Sequence, residues 1–181
     1  MRKQRFTKQP KTAGETFEYM GQCVTSDLCG PFPPSSPIGF TYAIIFFDRY
    51  SKHIKVYFLK SKHADGVRAT MKQYLSDHKH LLKNGTVRRW HTDNGPEFRS
   101  ANLDEFCTEL SITRSYSVPY RSNTNAHAER AWGILLRPTR IVTNATPNAE
   151  RWWPFVMTHM VLIHNNLVSR GHNPPAAPIT K

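Results

Sequence analysis

Two acids in this chain stand where carboxylates commonly do chemistry. Asp93 follows the β-prone run Val87-Arg88-Arg89-Trp90-His91-Thr92 and precedes Asn94-Gly95-Pro96, a strong turn signal. That order leaves its carboxylate at the carboxyl end of a strand, where α/β sheets often place catalytic groups. Glu129 lies in the opening turns of a helix that Asn123 or Asn125 would cap, with 35 residues between it and Asp93. A third acid, Asp27, ends an alternating stretch from Gln22 to Leu28, in which Cys23, Thr25 and Asp27 face one way and Val24, Ser26 and Leu28 the other. Taken singly, each has a bland reading: a strand-end acid, an Asp-Asn-Gly turn former and a helix-surface acid beside Arg130. The net charge of +12 points the set toward phosphate, because neutralisation by Lys and Arg drives affinity for nucleic acid.

The order and flanks of the three acids resemble the integrase catalytic core of retroviruses and retrotransposons. Val24-Thr25-Ser26-Asp27-Leu28 looks like the strand of the first acid, and His91-Thr92-Asp93-Asn94-Gly95 like that of the second. Asn123-Thr124-Asn125-Ala126-His127-Ala128-Glu129 looks like the third-acid motif. Phe46-Phe47-Asp48-Arg49-Tyr50-Ser51-Lys52 narrows the resemblance to the copia type, and the likeness runs from about Gln22 to Pro178.

The resemblance implies a ribonuclease H-like α/β fold, a five-stranded mixed sheet flanked by helices, with Asp27 and Asp93 on neighbouring strands. It implies that Asp27, Asp93 and Glu129 are catalytic and hold Mg²⁺ or Mn²⁺, two ions when DNA is bound. Two divalent ions about 3.5–4 Å apart can activate a hydroxyl nucleophile and stabilise the leaving oxygen of a phosphodiester. Mg²⁺ takes hard oxygen ligands and keeps some waters, so a few carboxylates suffice. The implied reaction is metal-dependent 3′-end processing and strand transfer on DNA. The resemblance places Asn125 near the DNA, and Arg130 and Arg137, seven apart on one helix face, could track a phosphate backbone, although a cap and two solvated arginines explain them as well.

The same resemblance implies self-association and work inside the cell, in the nucleus if the element is active. The family carries Thr-Pro ahead of the third-acid helix and Gly after the Asn. Here Arg121-Ser122 and Ala126 replace them, altering the loop that aims Glu129. A similar basic stretch in the family follows a small zinc-binding domain that this sequence lacks, which implies a fragment or a truncated copy. A catalytically inactive nucleic-acid-binding relic is therefore the alternative. A ribonuclease H proper would be expected to add a fourth acid and a Glu on the first helix, where only Asp65 and Asp77 occur.

The elements that must position these acids are legible from periodicity. At 181 residues the chain suits one domain. It divides into a basic arm over 1–20, rich in Arg and Lys up to Lys11, and a core over 21–181 ending in a helix. Strands are expected over Gln22–Leu28, Phe40–Phe47, His53–Leu59, Thr86–Thr92 and Ile112–Ser117. Helices are expected over Ala64–Leu82, ended by Asn84-Gly85, over Asn102–Leu110, from Asn125 with a break or kink at Pro138, and from Arg151 onward. In the last, Trp152, Phe155, Val156, His159, Met160, Ile163 and Leu167 form the expected inward face. Asp48 and Glu97 read as turn or surface acids, and His91 as a packing residue.

No run is long and apolar enough for a membrane span, and no signal-peptide core follows the basic start. Cys23, Cys29 and Cys107 lack metal-ligand spacing and fit a reducing compartment.

Overall fold

The computed structural model describes residues 15–117, 126–167 and 177–178. Strands β1 (Val24–Cys29), β2 (Tyr42–Asp48) and β3 (Ile54–Leu59) form an antiparallel meander. Helix α1 (Ala64–His78) follows, then β4 (Arg89–Thr92), α2 (Ala101–Glu109), β5 (Thr113–Tyr116), α3 (Ala126–Ala145) and α4 (Trp153–Asn166). The sheet order is β3-β2-β1-β4-β5, with β1, β4 and β5 parallel. This is the ribonuclease H-like fold.

The sheet divides the interior in two. On one side Val24, Ile44, Phe46 and Trp90 pack with Val67, Met71 and Tyr74 of α1 and Leu103 and Phe106 of α2. On the other, Ala43, Ile45, Phe47 and Ile54 pack with Ala131, Trp132 and Leu135 of α3 and Trp153, Met157 and Val161 of α4. β2 is apolar on both faces, as a doubly covered strand must be. Several elements are shorter than their sequence pattern. α1 stops at His78 rather than Leu82, and a 3₁₀ turn over Lys83–Gly85 follows, with Asn84 and Gly85 both at positive φ.

Asp48 is a buried organiser rather than a surface acid. Its Oδ2 accepts the Gly21 amide at 2.7 Å. Its Oδ1 accepts the Ser51 amide at 2.7 Å, the Ser51 hydroxyl at 2.8 Å and the Tyr50 amide at 3.2 Å. It thereby ties the β2–β3 turn to the entry of β1. Gly21 stands there at φ +85°, and a Cβ would meet Leu82 at 2.5 Å.

Pro138 does not break α3, which runs unbroken to Ala145. The carbonyl deprived of its partner is that of Ile134, whose side chain is exposed, so water can reach that side of the helix. The next carbonyl, of Leu135, also accepts the Thr139 hydroxyl at 2.7 Å.

The expected inward face of the last helix is corrected. α4 buries Trp153, Pro154, Met157, Val161 and Asn165, while Trp152, Phe155, Ile163 and Leu167 are exposed together with His159. Of the expected set, only Met160 packs partly against the core. α4 is apolar nearly all round, so periodicity offers two candidate faces and polar contacts choose between them. The indole of Trp153 donates to the Pro33 carbonyl at 2.8 Å. Asn165 pairs with the edge of β3: its Oδ1 accepts the Ile54 amide at 3.0 Å and its Nδ2 donates to the Ile54 carbonyl at 2.8 Å.

Candidate active site

β1 and β4 run side by side in parallel, with Val24 opposite Trp90 and Thr25 opposite His91. Continuing that register brings Asp27 level with Asp93, just beyond the last residue of β4. Side chains alternate along β1, so Leu28 packs into the α1–α2 interior, while Asp27 faces α3. There the Trp132 indole donates to Asp27 Oδ2 at 3.1 Å. Trp132 lies three residues beyond Glu129, so the two share a helix face. The helix that carries the third acid thus also grips the first.

Burial pushes the Asp27 carboxyl up to about 6, the negative charge of Asp93 adds to this, and that of Glu129 adds least. The amide of Leu28 and the Trp132 indole act in the opposite sense. Asp27 therefore feels both other acids. Asp93 Oδ1 accepts the Gly95 amide at 3.0 Å, so this residue serves its Asp-Asn-Gly turn as well as facing Asp27. The turn is fixed further by Asn94, which donates to the Ser117 carbonyl at 2.5 Å and accepts from Arg99 at 2.5 Å.

Glu129 is exposed in the first turn of α3. Among the described residues, no group of three or more His, Cys, Asp or Glu side chains is arranged to hold a metal ion. Asp27 and Asp93 each spend an oxygen on an internal donor. As a donor set the three carboxylates nevertheless suit Mg²⁺ or Mn²⁺, which favour oxygen ligands.

Arg130 and Arg137 are exposed and line one open cleft on α3 with Arg140, Ile134 and Ile141. Asn125, the capping residues before it and the loop changes at Arg121 and Ser122 lie outside the described residues. His91, on the strand just before Asp93, has Nδ1 at 3.0 Å from the Ser115 hydroxyl and Nε2 at 3.3 Å from that of Ser117. Asp77 is committed elsewhere, accepting the Tyr57 hydroxyl at 2.8 Å and pairing with Lys55 at 3.2 Å.

Three residues around the candidate site were not singled out from the sequence. Trp132 was discoverable by counting three residues from Glu129. Arg140 was discoverable as the next arginine on the same helix. His127 carries no local signal: its ring stacks on Phe47, and burial followed by the charges of Arg49, Lys52 and Arg130 holds it down to about 4.

Comparison with known proteins agrees with this architecture. The integrase core domain family model matches residues 19–122, a segment holding Asp27 and Asp93 and ending before Glu129. The chain is 29% identical over 133 residues to the retrovirus-related Pol polyprotein from transposon TNT 1-94 of Nicotiana tabacum, covering 72% of this chain and 10% of that protein. It is 26% identical over 166 residues to the Pol polyprotein from transposon 412 of Drosophila melanogaster, covering 91% of this chain and 12% of the relative. The chain thus spans about a tenth of the length of these relatives.

Among solved structures, it superposes on a chain of the simian T-cell lymphotropic virus intasome in complex with PP2A regulatory subunit B56 gamma. The TM-score is 0.76 at 18% identity, over 98% of this chain and 59% of that one. The HTLV-2 integrase catalytic core domain in complex with magnesium gives a TM-score of 0.64 at 20% identity, over 88% and 95% of the two chains. These likenesses show the shared fold. With the family model spanning more than half of its length and two of its acids level on adjacent parallel strands, the chain belongs to the integrase core domain family.

Proposed function

We propose that this chain is an integrase catalytic core that performs metal-dependent 3′-end processing and strand transfer on DNA, the polynucleotidyl transferase chemistry of its family. The observation that carries the reading is the level pairing of Asp27 and Asp93 on β1 and β4, with Asp27 bonded to Trp132 on the same helix as Glu129. Asp27, Asp93 and Glu129 would hold two Mg²⁺ or Mn²⁺ ions. When bound, such a pair supplies Lewis-acid activation of the attacking hydroxyl and charge stabilisation for the leaving oxygen.

The chain's own residues set the stage for that chemistry. The Trp132 indole holds Oδ2 of Asp27 at 3.1 Å and so ties the first acid to α3. The Asp93–Gly95 turn holds the second carboxylate at the strand end. Arg130 and Arg137, with Asn125 ahead of them, would bind the DNA backbone and orient it. Self-association would use the exposed apolar face of α4, where Trp152 and Phe155 stand 5.4 Å apart. The HTLV-2 cores are described in dimeric and trimeric forms. Such a core would act inside the cell, in the nucleus when its element is active.

A strand-transfer assay with Mn²⁺ on wild type and Asp93→Asn tests the reading. Wild type should join DNA ends, and Asp93→Asn should not, because an amide lacks the charge a divalent ion needs. Equal activity of the two would refute it. A second reading, a catalytically inactive nucleic-acid-binding relic, is favoured by Ala126 opening α3 where the family has Gly. Duplex binding without Mn²⁺-dependent transfer, even when zinc-binding and C-terminal domains from a full-length element are fused, would support it.

A further inference from the structure

We propose that the cleft at the amino-terminal ends of β1 and β4 is a second DNA phosphate site, closed here by the carboxylate of Glu15. The inference rests on the DNA-binding part of the proposed function and concerns a different place. The cleft holds about 250 Å³ and is lined by Glu15, Phe17, Gln22, Arg88, Arg89 and Thr113.

Arg89 opens β4, and Arg49 follows β2 on the neighbouring side of β1. Both guanidinium groups turn toward the buried thiol of Cys23, with Arg89 Nε at 3.4 Å and Arg49 Nη1 at 3.9 Å. Glu15 bridges the pair, its Oε1 accepting from Arg89 at 2.5 Å and its Oε2 lying 3.7 Å from Arg49. The ring of Phe17 sits under both guanidiniums, at 4.8 Å from Arg49 and 5.8 Å from Arg89.

The charges do not balance. Arg49, Arg88 and Arg89 bring about +3 against a single carboxylate, leaving about +2. The Arg49 Nε is buried and has no hydrogen-bond partner. A phosphodiester presents two free oxygens much as a carboxylate does, and guanidinium groups take such pairs of oxygens in a fork. The present occupant is easily displaced: the Glu15 side chain is half exposed and belongs to the segment that leads into the fold. The cleft also lies within reach of a duplex seated at the acids. Arg89 and Asp93 are four positions apart along the strand, roughly 13 Å, well under one turn of a duplex.

The experiment measures affinity of the full chain for a short duplex across a salt series. Glu15→Gln should bind about three- to fivefold tighter, as when one exposed ion pair ceases to compete. Its salt dependence should steepen by about 0.9, the slope of one added phosphate. Glu18→Gln makes the same charge change three residues away, outside the cleft, and should shift affinity less than about twofold. Adding Arg88→Gln to Glu15→Gln should remove the gain. Melting temperatures check that each variant is folded. Equal effects of Glu15→Gln and Glu18→Gln overturn the cleft alone. A wild type that binds no duplex overturns both the cleft and the proposed function, while a wild type that binds without strand transfer leaves the cleft standing.

Discussion

Asn165→Ala should cost far more stability than a polar surface substitution. Asn165 is buried, and its side-chain amide acts as one more link on the edge of β3, closing a two-bond ring with Ile54. The same Nδ2 lies 3.1 Å from His53 Nε2. Truncation strands a buried N–H, a buried C=O and a ring nitrogen, each worth roughly 1–3 kcal/mol when left unsatisfied. Partial hydration at the sheet edge reduces the sum, so the loss should be about 3–5 kcal/mol. For a chain of this size that is a fall of roughly 10 °C in melting temperature. Chemical denaturation of wild type, Asn165→Ala and Asn165→Leu gives the measurement. Leu restores the buried volume without the hydrogen bonds, so it should lose nearly as much as Ala. A loss below about 1 kcal/mol in the Ala variant, or full rescue by Leu, would refute hydrogen bonding as the basis of α4 docking.

Other consequences are as direct. Asp27 is held charged at neutral pH although burial and Asp93 push its carboxyl from 3.8 to about 6. In chelator, Asp27→Asn should therefore stabilise the fold by about 1–3 kcal/mol, at about 1.36 kcal/mol per pKa unit, and a lowered melting temperature would contradict this. Burial chiefly holds His53 down to about 3 and also lowers His78. The unfolded chain takes up these protons near 6.5 and the fold does not, so stability is whole above about pH 6.5 and declines as pH falls toward 3. Denaturation midpoints between pH 7 and 4 should show that slope, and His53→Gln should flatten it. Pro138→Ala should stabilise α3 by about 1 kcal/mol or more, since it returns a hydrogen bond to the Ile134 carbonyl; a loss of melting temperature would show that the ring is needed for packing.

Much of the fold was legible because its strands and helices carry plain periodicity. The five strands, their order of appearance and the start of α1 at Ala64 follow from alternation and from the change of period. Asp27 on the face away from Leu28 follows from counting by twos. What was not legible depends on contacts distant in sequence. Asp48 resembles any turn acid until the Gly21 amide, 27 positions earlier, is found against it. The face of α4 was misassigned because Trp152 and Trp153 offer the same hydrophobic signal, and only the Pro33 carbonyl and the Ile54 edge distinguish them. Pro138 reads as a breaker when its solvent exposure is unknown. The proximity of Asp27 to Asp93 came from the family resemblance; periodicity alone does not place β4 beside β1.

The division of the interior by the sheet has a bearing on how the proposed site would come apart. Asp27 and Asp93 belong to the sheet, whereas Glu129 and Trp132 belong to α3 and depend on the layer it shares with α4. That layer can open while β1, β4 and the α1–α2 side stay folded, since cooperative units often follow such packing divisions. Amide hydrogens of α3 and α4 should then exchange sooner than those of β2. Heating should separate Glu129 from the other two acids before the sheet melts, so inactivation would run ahead of global unfolding. The proposed site would be the first part of the molecule to fail because it straddles two foldons.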